Sequence, residues 1–204
     1  MSWSDDVHAA DWIAERLHPF AADVGSIVPE GFEAYVRIAH RMRERSGTLA
    51  PDELRVLTHS LAAHTQRPDA CWFAVWDGYA CLHGSPAIAE LRAADSEEPP
   101  ADFPDRAGDA PRVQIPGRSL LLYEGAIEAA ARFCRDEPTC QSPNLWWPQD
   151  RAWCVATEID LCWTYVGGSR ALADRCSTTS ATTRSWSESS TPSTADGCRA
   201  PPQR

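Results

Sequence analysis

Six consecutive apolar residues, Cys71-Trp72-Phe73-Ala74-Val75-Trp76, limit the folds open to this chain more than any other feature. A strand that is apolar on both sides must be covered on both faces, so the run reads as a central strand. Asp77-Gly78 ends it with a turn signal. Helical and strand periods alternate around it. Residues 5–22 keep helical spacing through Val7, Ala10, Ile13 or Ala14, Leu17 and Phe20, with Ser4 or Asp5 as a cap. Gly25 and Pro29-Glu30-Gly31 mark a turn, and 32–38 alternates as a half-buried strand. A second helix spans 51–65, with Pro51 at its first position and Asp52-Glu53 suiting the N-terminal dipole.

Further along, 93–112 reads as an acidic, Pro-rich surface loop, 119–123 as a strand and 127–135 as a short helix. Residues 138–150 read as a loop carrying Trp146-Trp147-Pro148. Residues 152–158 and 161–166 read as two strands or one long bent strand. Gly167-Gly168-Ser169 then opens a helix near Arg170. The expected fold class is α+β: a single domain over 1–176, with a mixed or mostly antiparallel sheet and three to four helices packed on it.

Composition narrows the function classes. The 204 residues suffice for one domain with a real core. The formal charge of −10 opposes a phosphate backbone, so no nucleic-acid partner is expected. All 19 basic residues are Arg and Asn144 is the sole Asn, a codon bias of a very GC-rich genome. The eight Cys show no C-x-x-C spacing, so no metal or cofactor is expected. The acidic N-terminus carries no signal-peptide pattern, and no apolar stretch approaches the ~20 residues a bilayer needs. The expectation is a cytoplasmic protein with reduced thiols and no membrane partner.

After Cys176 the chain turns to Ser, Thr, Pro and Arg without apolar period. With GC-rich codons, another reading frame of this stretch yields an amphipathic helix and a Val-rich strand. Residues 177–204 therefore read as a disordered or frameshifted tail.

Three constellations carry candidate chemistry. The Gly167-Gly168-Ser169 turn, with Tyr165 leading into it, offers backbone N–H groups to an anion, or is a tight turn with Ser169 as N-cap. Glu158 and Asp160 share a strand face and, with Glu124, suit acid–base work, or are a solvated face. Trp146 and Trp147 suit stacking on a ligand or partner, or form a lid on the core. Arg151 follows closely and suits an anionic ligand or Glu158. Cys154, inside an apolar strand, suits an inert thiol.

Several segments carry a resemblance. They are Val24-Gly25-Ser26-Ile27-Val28-Pro29 with Gly31-Phe32-Glu33-Ala34-Tyr35, the run from Cys71 to Trp76, and Ser142-Pro143-Asn144-Leu145-Trp146-Trp147-Pro148. Trp153-Cys154-Val155-Ala156-Thr157-Glu158-Ile159-Asp160 and Trp163-Thr164-Tyr165-Val166-Gly167-Gly168-Ser169 complete the set. Together they resemble an uncharacterised protein family of actinobacteria over most of residues 10–172. The resemblance implies a lineage and no activity. The functional expectation is a non-enzymatic module binding a protein or small molecule, with Trp146-Trp147 and Gly167–Ser169 flanking its site. The rival is a hydrolase-like enzyme using Glu124, Glu158 and Asp160.

Overall fold

A computed structural model describes residues 1–19, 24–41, 47–79, 109–133, 141–179 and 183–186. Its strands are β1 (Ser2–Trp3), β2 (Ala34–Ala39), β3 (Cys71–Trp76), β4 (Arg112–Ile115) and β5 (Arg118–Gly125), followed by β6 (Leu145–Pro148), β7 (Cys154–Thr157), β8 (Trp163–Gly168) and β9 (Thr183–Trp186). They form one sheet in the order β1-β5-β3-β6-β7-β8-β2-β9, with β4 on the same edge of β5 as β1. Every pairing is antiparallel. The described α-helices are α1 (Asp11–Ala14), α2 (Pro51–Ala62) and α3 (Arg170–Thr179). The fold is α+β and sheet-dominated, as expected.

Both faces of the sheet are covered. On one face Phe73, Leu121, Tyr123, Trp146, Val155, Val166 and Val36 meet α2, the 3-10 segment Ile127–Phe133 and α3. On the other, Ala74, Leu122, Trp147, Ala156 and Tyr165 meet Trp12, Ile13, Leu17, Val24 and Ile27 of the N-terminal segment. We call these the helix face and the N-terminal face. The alternation of β3 carries it: Phe73 sits in the first layer and Ala74 in the second. Trp153 links layers by donating its indole N–H to Leu61 O at 3.1 Å, where α2 ends.

Asn144 stitches the middle strands together. Its backbone N–H donates to Ala74 O (2.9 Å) and its carbonyl accepts from Thr157 N (2.7 Å). Its side-chain oxygen accepts from Trp76 N (2.8 Å), and its amide nitrogen donates to Thr157 O and Tyr79 Oη (3.0 Å each). One residue thus closes β3 and β7 at the point where β6 enters between them.

Several expectations are corrected. The helix over 5–22 is a 3-10 turn (Val7–Ala10) and the single-turn α1, with 20–23 outside the described residues. Asp6 makes no capping bond, and Pro19 removes a donor and disfavours helix at His18, so the helix stops early. The 138–150 loop contains β6, whose Trp146 and Trp147 pair with Phe73 and Trp72. Pro148 suggests a loop, but it falls at the last paired position of a four-residue strand. The strand expected over 161–166 runs on to Gly168, so Gly167 and Gly168 lie inside β8 rather than in a turn. The expected 93–112 loop ends at β4, which returns through Pro116-Gly117 into β5, with Gly117 at φ 76°. Its residues 93–108 lie outside the described set. In the tail, α3 runs to Thr179 and 183–186 pairs with β2, while 187–204 lies outside the described residues.

Asn144→Ala should lower the unfolding free energy by about 3 kcal/mol in urea, because it strands a buried Trp76 N–H and Thr157 carbonyl. A loss under about 1 kcal/mol would show that the stitch is dispensable.

Candidate functional site

The sheet's N-terminal face carries a cleft at the end where the β4–β5 hairpin turns. The buried Leu120, Leu145 and Ala156 form its floor, and Trp76, Ile115, Pro116, Ser26 and Ile27 also line it. The cleft is small, about 40 Å3, and opens to solvent. Apolar side chains dominate the lining, as in small-ligand sites.

Arg118 and Glu158 close the polar end. The hairpin turn places Arg118 first in β5, and Glu158 directly follows β7. Arg118 Nε donates to Glu158 Oε1 at 3.0 Å, and its Nη2 donates to the same oxygen. The side chains keep only 20% and 8% of their surface exposed, so this is a half-sheltered pair. Glu158 Oε2 accepts from Asp160 N at 2.7 Å, and the exposed Asp160 carboxylate stands 3.7 Å from Arg118. A ligand head arriving here meets fixed donors and acceptors rather than a mobile pair.

The sequence candidates separate into three places. Glu158 lines the cleft, while the exposed Asp160 stands outside its lining and reaches it only through Arg118. Glu124 does neither: it lies exposed six residues along β5 from Arg118, about 20 Å away at strand rise. The three carboxylates therefore do not gather in one cleft. Trp147, Arg151, Tyr165 and Gly167 lie toward the opposite end of the N-terminal face. There Trp147 meets Trp12 edge-on at 6.3 Å, and the Phe32 ring fills the space a Cβ would take at Gly167. Trp146 and Gly168 belong to the helix layer, against Phe73 and Leu172.

The two aromatic and glycine readings are thereby corrected. Trp146 and Trp147 are fully buried, with indole N–H groups that meet no acceptor among the described residues, so they are interior rather than ligand-facing. Stacking in place of hydrogen bonding suits them: Trp147 lies on Trp72 at 6.1 Å and Trp146 on Phe73 at 6.1 Å. The expected anion cradle is filled by the protein itself. Ser169 Oγ accepts from Leu172 N at 3.2 Å and Glu33 Oε2 from Arg170 N at 3.0 Å. Sequence reasoning missed Arg118. Its signal was Pro116-Gly117 between Ile115 and Leu120, a hairpin turn that fixes the next residue at a strand end.

Among the described residues, the cysteines supply no nucleophile here. Burial pushes the Cys71 thiol up to about 12, helped by Asp150, Glu128 and Asp69, and the Cys176 thiol up to about 11. Burial raises Cys154 further. Cys162 is disulfide-bonded, which corrects the expectation of reduced thiols throughout; spacing alone does not reveal which cysteines meet. Among the described residues no cluster of His, Cys, Asp and Glu could hold a metal, and no helix is long and apolar enough to cross a membrane. No protein-family model, curated protein or solved structure matches the chain.

The thiols set a pH dependence. Folded Cys71 and Cys176 keep protons that the unfolded chain loses from its ordinary value of 9.0 upward. Their contribution is complete below pH 9 and declines as pH rises toward their folded values. Native iodoacetamide labelling at pH 8 should leave Cys71, Cys154 and Cys176 unmodified, with all three reacting in denaturant. Rapid native labelling of any of them would contradict their burial.

Proposed function

We propose that this chain is a non-enzymatic binding module that takes a small organic ligand into the Arg118–Glu158 cleft. The observation that carries the reading is an apolar floor ending on a sheltered guanidinium–carboxylate pair. Such a site suits a ligand about one aromatic ring in size, with a head group that both donates and accepts. The floor of Leu120, Leu145 and Ala156 would take the ring, Arg118 would donate to the head, and Glu158 would accept from it. Trp76 would report the event, because its ring lines the same space. No catalytic step is assigned. Glu158 is committed to Arg118, and Glu124 is distant.

A cytoplasmic setting fits three buried free thiols, and the Cys162 disulfide is the feature to check in protein taken from cells. We also propose an actinobacterial lineage for the chain and a frameshift behind its tail. Sequencing the gene across codons 165–204 in all three frames tests the second directly.

Binding of benzamide, benzoate and benzamidine, followed by amide chemical shifts, tests the reading. At least one should bind with Kd below about 1 mM and move Trp76, Leu120, Asn144 and Glu158. The Arg118→Met/Glu158→Gln double variant removes the pair without leaving a lone buried charge, and should weaken that binding about tenfold. If no probe perturbs the cleft, or the double variant binds as the wild type does, the reading fails.

A further inference from the structure

A second array of charge lies at the opposite end of the N-terminal face. Two guanidiniums lie over one indole: Arg16 Cζ is 5.8 Å and Arg151 Cζ 5.3 Å from the Trp12 ring centroid. Both side chains belong to exposed residues, while Trp12 is buried. A guanidinium stacked on a ring keeps its in-plane N–H donors for another partner. Among the described residues neither Arg has a carboxylate at ion-pair distance, in a chain with 29 acids.

The carboxylates on flanking segments are engaged elsewhere. Asp11 holds His8 at 3.0 Å, Glu30 holds His18 at 2.9 Å, and Glu33 accepts the Arg170 N–H at 3.0 Å. Asp150 accepts from Thr65 Oγ1 at 2.9 Å and Gln66 N at 2.8 Å. Glu15, beside Arg16 in sequence, forms no ion pair with either Arg.

The backbone accommodates both arginines. Arg151 sits at φ 54°, the only described non-glycine residue with positive φ. The β6–β7 turn needs a left-handed residue there, and Gly or Asn would fill it at less cost. The turn is pinned by Arg151 N to Pro148 O and Gln149 N to Ala70 O, each 2.9 Å. Arg16 lies against Gly31, at φ 102°, where an added Cβ would stand 3.3 Å from Arg16 Nη1. Glu30 N donates to Arg16 O at 3.2 Å, so the strand of chain beneath the guanidinium is held as well.

We propose that Arg16 and Arg151, stacked on Trp12, bind a phosphoryl group, as free phosphate or on a small phosphomonoester, at a site separate from the Arg118 cleft. Two guanidinium forks match the charge and the oxygens of a phosphate dianion. Tethering both to one buried ring sets their positions before the ligand arrives.

The test titrates the full chain with inorganic phosphate and with phenyl phosphate at constant ionic strength, read by tryptophan fluorescence and melting temperature. Wild type should saturate with at least one of them, beyond the response to sodium chloride. Tighter binding of phenyl phosphate assigns a phosphomonoester; equal binding assigns phosphate itself. Arg151→Asn tolerates the left-handed backbone, so it should keep the fold and lose affinity about tenfold. Arg16→Gln should do the same. If wild type shows no saturable response, or if Arg151→Asn binds as tightly as wild type, the proposal is overturned. Arg151→Asn alone decides should Arg16→Gln not fold.

Discussion

Burial of the central strands on both faces is the constraint on which everything else in this structure depends. A strand covered on two sides has no solvent face on which to carry polar side chains, so β3, β6 and β7 are apolar and aromatic apart from Thr157, whose hydroxyl pairs with Thr164. Their backbone groups must then be met within the sheet, because no water reaches them. The antiparallel ladder meets most of them, and Asn144 meets those left where β6 is shorter than β3 and pairs only part of β7. The unusual tryptophan content follows from the same constraint. Trp146 and Trp147 point to opposite faces, and each stacks on the partner residue across the β3 ladder.

With the middle of the sheet sealed, the two proposed sites lie at its ends. At one end a hairpin turn and the end of β7 bring Arg118 to Glu158 beside an apolar floor. At the other, an N-terminal helical turn and the β6–β7 turn bring Arg16 and Arg151 to Trp12. The two ends differ in kind. The first is a neutral pair at a cleft, suited to a head group that gives and takes hydrogen bonds. The second is an unneutralised positive spot on an acidic protein, where the local sign is opposite to the net charge of −10.

The sequence disclosed those parts of the fold whose pattern is strong and local. The continuous run of β3, the alternation of β2, and the Pro51-Asp52-Glu53 start of α2 each state their structure without help from distant residues. β6 was illegible because four residues are too few to show a period, and Pro148 and Ser142-Pro143 punctuate them like a loop. The N-terminal helix was over-read because its apolar spacing serves a different end: Trp12, Ile13 and Val24 cover a broad sheet rather than one helical stripe. In the candidate cleft Glu158 was visible, but the strand face expected to carry it with Asp160 ends at Thr157: both lie in the following turn, Glu158 sheltered and Asp160 exposed. Arg118 was not visible, since its meeting with Glu158 spans 40 residues and depends on strand order. Arg151 was visible only as a nearby charge; its partner Trp12 lies in a segment that sequence alone could not place.

The interior position of Trp146 and Trp147 separates this account from one in which they form a recognition loop. Amide hydrogen exchange of residues 145–148 measures it directly. The account requires their amides to exchange as slowly as those of Phe73 and Val75, at a free energy close to that of global unfolding. Exchange as fast as that of an exposed turn would contradict it, return the two tryptophans to the surface, and remove the reason for placing recognition at the ends of the sheet.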